Sequence, residues 1–255
     1  LLANLAARDF GYLSVGGLIR RTQDALATMQ RLERYRGHFY NWYDTRTLRP
    51  LLPLYVSSVD SGNLAGHLLT LGAGLRELAD ERIYAPQLFA GLRDTADVLK
   101  TLAGENAALA RLAAELELTP VTLCAAFAQL ESATGQATQL ADSLANESEE
   151  LKGWAQNLKL SCEEQLADML FVAPWLRSGD KAVCAPGNRD EKLLQLDHAP
   201  TLRELSEVDS TLVPLSEAGD DAAELLRGRR EAGDHARQRL LALEALATQC
   251  DELAA

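Results

Sequence analysis

The sequence has few of the features that announce a catalytic metal or a disulfide scaffold. Four cysteines, Cys124, Cys162, Cys184 and Cys250, are spread over 255 residues with no CxxC pair. In a chain of this length they need not build a disulfide framework, and buried or inert thiols are the simplest reading. The four histidines, His38, His67, His198 and His235, show no HExxH or similar close spacing, so no metal site is assigned. No apolar run approaches the roughly 20 residues of a membrane span. No basic stretch followed by an apolar one opens the chain, so no signal peptide is read. Positive charge is scarce as well. The net charge of −12 argues against a broad nucleic-acid or anionic-membrane surface, and no nucleic-acid partner is expected. Leu1 lies inside an apolar helical pattern, which suggests a piece of a longer polypeptide.

What is present is uneven. Residues 1–60 hold eight arginines against five acids, a local excess of +3, so the other 195 residues carry −15. Eight of the fourteen aromatic residues also fall in 1–60: Phe10, Tyr12, Tyr35, Phe39, Tyr40, Trp42, Tyr43 and Tyr55. The remainder is an acidic body rich in the helix formers Leu, Ala, Glu and Gln. That acidic face is most simply a solvated surface.

Periodicity predicts an all-α protein of antiparallel helical hairpins. Val15, Leu18, Ile19, Leu26 and Met29 form one stripe, with Ser14 available as N-cap. Leu64, Leu68, Leu71, Leu75 and Leu78 form a second, and Leu88, Leu92, Leu99 and Leu102 a third. Leu109, Leu112 and Leu116 follow Gly104. Thr119-Pro120 reads as the start of the next helix, with Gly135 a weak point within it. Leu151, Trp154, Leu158, Cys162 and Met169 mark another seam. Residues 174–200 read as a loop, and two final helices are expected over about 201–227 and 229–253. Only the stretch around Leu51–Val59, which Pro50 and Pro53 bias away from helix, has extended character.

Between the second and third helices lies a segment far longer than a linker requires. It runs from Arg36 through His38, Phe39, Tyr40, Asn41, Trp42, Tyr43, Asp44 and Arg46, then through Tyr55, Ser57, Ser58, Asp60 and Asn63 to Gly66. These residue types suit a sugar. Indole and phenol rings offer flat apolar faces with a polar edge. Asp, Asn and Arg make paired, charge-assisted hydrogen bonds to vicinal hydroxyls. Asp44 and Asp60 could converge on one pocket, and paired carboxylates also serve glycosidic-bond chemistry. Structural roles stand beside that reading. Asp60 or Ser58 can cap a helix beginning near Ser61. Asp44 can hold an Asx-type turn with Arg46 as its partner. Tyr35 and Phe39 can be core, and His38 and His67 can be structural.

The stretches Gly37–Leu48 (GHFYNWYDTRTL) and Tyr55–Leu68 (YVSSVDSGNLAGHL) closely resemble the central region of bacterial cyclic β-1,2-glucan synthases. The resemblance covers roughly residues 1–100; beyond that it rests on helical character. Those synthases are very large inner-membrane proteins that join a glycosyltransferase module, a central glycoamylase-like module and a phosphorylase-like module. The resemblance implies that this chain is part of an (α/α)6 barrel, soluble and on the cytoplasmic side, that binds β-1,2-glucan and cyclises it by retaining transglycosylation. It places Tyr40, Trp42, Tyr43, Asp44, Arg46, Ser58, Asp60 and Asn63 at or near the sugar cleft. It implies no cofactor here, since UDP-glucose and a divalent metal belong to the glycosyltransferase module outside this chain. The glutamate-bearing segments expected to hold catalytic acids have no counterpart in 61–255, so no catalytic residue is assigned and the chain alone is not expected to be active.

The expected organisation is therefore a partial α/α-barrel segment over 1–103, with its cleft loop at 36–63, followed by an acidic helical body over 104–255. Such a barrel needs six hairpins, and this chain holds four or five helical pairs, so exposed apolar faces, self-association and contact with the rest of a parent polypeptide are expected. Two other readings stay open: a glycoamylase-like β-glucan hydrolase, and a non-catalytic helical scaffold between modules.

Overall fold

The structure, a computed structural model, describes residues 1–177, 197–207 and 220–255. Among the described residues it is all-α apart from one two-stranded hairpin. In chain order the elements are α1 (Leu2–Asp9), α2 (Val15–Arg31), β1 (Arg34–Tyr35), β2 (His38–Phe39), α3 (Ser58–Glu77), α4 (Gln87–Ala103), α5 (Ala107–Leu116), α6 (Leu123–Ser143), α7 (Glu149–Val172), a 3-10 turn (Pro174–Leu176), α8 (Leu202–Ser206) and α9 (Asp220–Ala254). No helix among the described residues is long and apolar enough to cross a membrane.

The leucine stripes fold as their spacing dictates. Leu68, Leu71, Leu75 and Leu78 are buried along and just past α3, and Leu109, Leu112 and Leu116 along α5. On α7, Leu151, Leu158, Cys162 and Met169 face inward. Leu102 departs from the α4 stripe and stands exposed, while Ala96 takes the inward place between Leu92 and Leu99. On α9, Ala232, Ala236, Leu243, Leu246, Ala247 and Cys250 repeat at threes and fours and turn one face inward. That face lies along α3 and α2, while α7 packs on α4 and α6. One core joins residues on both sides of Gly104.

The starts of α2, α3 and α5 to α8 are capped by side-chain oxygens that accept otherwise unpaired backbone N–H groups. Ser14 caps α2, as its place in the sequence predicts, and Asn106 caps α5. Other boundaries differ from expectation. α6 begins at Leu123 with Thr122 as cap, rather than at Thr119-Pro120, and it runs unbroken through Gly135. The expected break near residue 228 is absent, and α9 is continuous for 35 residues. Gly228 sits there because a Cβ would lie 3.1 Å from the Cα of buried Trp175; the bare face lets the 3-10 turn press against the helix. The extended stretch is also misplaced. The paired strands are Arg34–Tyr35 and His38–Phe39, while Leu51–Val59 is mostly irregular.

The cysteines divide. Cys162 and Cys250 are buried free thiols, and burial pushes them up to about 12 and about 11, which leaves both protonated and unreactive at neutral pH. Cys124 is disulfide-bonded, so the reading of inert thiols is corrected there. Cys184 lies outside the described residues.

Two polar ties fix the helices that frame the loop. Arg239 on α9 forms a buried ion pair with Asp168 on α7, and Asp168 also accepts the Gly16 N–H at 3.0 Å. The first turn of α2 is thereby tied to both helices. Arg76 on α3 donates to Asp251 on α9 at 2.7 Å.

The tightest backbone approach lies between α4 and the α1–α2 turn. A Cβ on Gly91 would fall 2.4 Å from the Gly11 carbonyl group and 2.8 Å from the Tyr12 nitrogen. Alanine in a helix interior is ordinarily better than glycine by about 1 kcal/mol. Here the backbone cannot yield, so Gly91→Ala is expected to lower stability by about 1–3 kcal/mol in urea denaturation. A variant as stable as the wild type would show that α4 can move away from the turn without loss.

Candidate functional site

The segment between α2 and α3 is assembled by three hydrogen-bonded knots. The first is the hairpin. Arg34 pairs with Phe39 and Tyr35 with His38, leaving Arg36 and Gly37 as a two-residue turn with φ of 50° and 90°. Positive φ at both turn positions matches the right-handed twist of the strands, and glycine adopts it without steric cost. The Arg34 guanidinium covers the Phe39 ring at 4.8 Å from its centroid. Phe39 is half-buried under it. Tyr35 is 52% exposed, so the expectation that both are core is corrected.

The second knot is Asp44. Its Oδ1 accepts the Arg46 N–H at 3.0 Å, the Thr47 N–H at 2.7 Å and the Thr47 hydroxyl at 3.0 Å. These bonds favour the charged form and hold the carboxyl below its ordinary pKa. The Asp44 N–H donates to the Arg49 carbonyl at 2.9 Å, and the Leu51 N–H donates to the Trp42 carbonyl at 3.0 Å, so the loop doubles back on itself. Arg46 takes part through its backbone, and its side chain is exposed.

The third knot is Asn41. Its side-chain amide donates to Asp60 Oδ2 at 2.7 Å, its side-chain oxygen accepts the Ser57 N–H at 3.0 Å, and its own N–H donates to the Tyr55 carbonyl at 2.9 Å. One residue thus fastens the hairpin, the returning loop and the start of α3. The helix begins at Ser58, and its cap is Ser57, whose hydroxyl accepts the Asp60 N–H at 3.1 Å. The expected cap at Asp60 or Ser58 is corrected to Ser57, one residue before Ser58 and three before Asp60. Asp60 lies in the first turn, where a negative charge complements the helix dipole.

Of the aromatic residues, Tyr43 is structural in part. Its hydroxyl donates to the Glu33 carbonyl at 2.7 Å and accepts the Tyr40 N–H at 2.8 Å, and burial raises the phenol so that it stays protonated. Tyr40 meets it edge-on, with centroids 6.3 Å apart. Trp42 and Tyr55 stack with centroids 6.3 Å apart and planes inclined by 27°, and each is about half exposed, at 55% and 53%. Asn63 is exposed on α3 one turn beyond Asp60, and His67 is exposed a turn further on. Leu51, Leu52, Leu54 and Val59 are further exposed apolar side chains in the same stretch of chain.

The two carboxylates therefore serve separate knots, Asp44 in its own turn and Asp60 on Asn41. Sequence reasoning singled out neither Asn41 nor Tyr55 as a site residue. An amide between two aromatics that must return to a helix start is the signal for the first. For Tyr55, only the stacking partner reveals its role.

Comparison with known proteins follows the same direction. No family model matches the chain. Among curated proteins the match is to an enzyme of glucan synthesis, over 199 residues at 34% identity. That relative is the cyclic beta-(1,2)-glucan synthase NdvB of Rhizobium meliloti (strain 1021); the alignment takes in 67% of this chain and 7% of the relative's length. The chain is thus similar to one region of a cyclic β-1,2-glucan synthase and spans a small fraction of such a protein.

Two outcomes are expected from the knots. Asn41→Ala should cost about 1–2 kcal/mol of stability in urea denaturation, because two side-chain hydrogen bonds are lost together. For Asp44 the folded pKa lies below the unfolded one of about 3.9. The stabilisation is then present above the unfolded value and fades as pH falls through the folded one. Asp44→Asn keeps an acceptor oxygen but cannot titrate, so its urea midpoint should fall less steeply below about pH 5 than that of the wild type. Identical slopes would remove the carboxylate from the account of the turn.

Proposed function

We propose that this chain is part of the central, glycoamylase-like region of a cyclic β-1,2-glucan synthase and that its aromatic loop binds the glucan during cyclisation. The observation that carries the reading is the exposed Trp42–Tyr55 ring pair held beside the Asn41–Asp60 amide–carboxylate couple. Flat apolar faces beside polar groups are what a glucose ring, with its C–H face and rim of hydroxyls, requires. The match to the synthase supports the choice of a β-1,2-linked substrate.

In this role Trp42 and Tyr55 stack sugar rings, while Asp60, Asn63 and Arg46 take hydroxyls. Asp44 shapes the loop rather than moving protons: a carboxyl held low by three hydrogen bonds is ionised at neutral pH and carries no proton to donate. The chemistry would be intramolecular transglycosylation with retention, its catalytic acids lying elsewhere in the parent. The parent would sit in the inner membrane, with this region soluble on the cytoplasmic side and UDP-glucose used by a separate module. The exposed leucines at 51, 52 and 54 would face other parts of that polypeptide.

Titration with linear β-1,2-glucooligosaccharides by calorimetry tests the reading. Trp42→Ala should weaken binding about tenfold, the equivalent of roughly 1.4 kcal/mol, with an unchanged melting temperature because the ring is exposed. No measurable binding by the wild type, or equal binding by the variant, would overturn it.

A further inference from the structure

A separate cavity of about 380 Å³ lies where the hairpin, the start of α3 and the last turn of α9 meet. We infer that this cavity is a saccharide subsite, taking a glucosyl portion of the same glucan whose neighbouring portion stacks on Trp42 and Tyr55. The inference rests on the carbohydrate reading above and adds a place and a set of residues to it: Arg36, His38, Phe39, Ser58, Ser61 and Gly62.

The walls carry a division of chemistry that suits a sugar. Phe39 and Leu64 supply apolar surface, and the Phe39 ring is fixed by the Arg34 guanidinium over it. Arg36 and His38 bring polar groups from the hairpin. Ser58 and Ser61 bring hydroxyls from the helix; the Ser61 hydroxyl donates to the Ser57 carbonyl at 2.8 Å, which leaves its oxygen to accept from a ligand hydroxyl. The volume is at the small end of ligand pockets, which run from roughly 300 to 1,000 Å³, so it fits a short saccharide stretch rather than a long chain. Asn41, next to Trp42 in the chain and hydrogen-bonded to Ser57 and Asp60, joins the segment that carries the ring pair to the helix start that lines the cavity.

Gly62 makes the inference testable without unfolding the protein. It lines the cavity, and a Cβ placed on it meets no atom within 4 Å. Leucine is a better helix former than glycine, so Gly62→Leu should fold at least as well as the wild type while adding bulk to the cavity wall. Ala73→Leu, at an exposed position further along α3 and outside the cavity, is the control.

Calorimetric titration of the 255-residue chain with linear β-1,2-glucooligosaccharides is read beside the melting temperature. The expected result is binding weakened about tenfold by Gly62→Leu and unaltered by Ala73→Leu, with the melting temperature of Gly62→Leu at or above that of the wild type and that of Ala73→Leu close to it. If Trp42→Ala weakens binding and Gly62→Leu does not, the subsite is overturned while the loop reading stands. If Ala73→Leu weakens binding as much as Gly62→Leu, the effect belongs to the helix and the subsite is again overturned. If the wild type binds no oligosaccharide, the loop reading itself falls and the subsite falls with it.

Discussion

Helix α3 has to satisfy two sets of partners at once. Its inner face is committed to the core through Leu68, Leu71 and Leu75, and Gly72 lets the backbone of α9 come close, with the Ala247 carbonyl 3.4 Å from where a Cβ would stand. Its first turn is committed to a loop through Ser57, Asp60 and Asn41. The first commitment fixes where the helix lies; the second carries that position outward to a surface of exposed rings. Without α9 behind it, the start of α3 would have no defined place, and the loop would have nothing rigid to close against.

This division explains why so polar and aromatic a segment is ordered although little of it is buried. A loop of this length has to find internal partners for its backbone groups or leave them to water. Here a few side chains supply those partners. Asp44 closes the inner turn, Asn41 closes the outer one, and the Tyr43 hydroxyl fastens the middle to Glu33. Because each is used in place, the remaining groups, Trp42, Tyr55 and Asn63, can stay exposed without the chain collapsing over them.

The leucine stripes made the helices legible, because a period of three and four survives any tertiary context that keeps one face buried. Ends were harder to read. Thr119-Pro120 and Thr122 both present a capping hydroxyl, and only packing decides that Leu123 begins α6. Gly228 looked like a break because glycine is a poor helix former, yet the seat it gives Trp175 outweighs that local preference. In the loop, residue chemistry pointed to the right segment and to an Asx-type role for Asp44. It did not reveal that Asp44 and Asp60 would be bound apart, nor that Asn41 would join the pieces, since neither follows from spacing along the chain. The hairpin at Arg34–Phe39 passed unnoticed for a related reason: strands of two residues carry no alternation to detect.

The unbroken run of α9 has a mechanical side. The residues on which Trp175 rests and those that close the cavity beside the hairpin, Gly228 and Leu253, sit on one rod, roughly 40 Å apart at 1.5 Å per residue. Between those two points the Arg239–Asp168 and Arg76–Asp251 ion pairs clamp the rod against α7 and α3, so the seat of Trp175 and the wall of the cavity are held at one separation by the stiffness of a single coil.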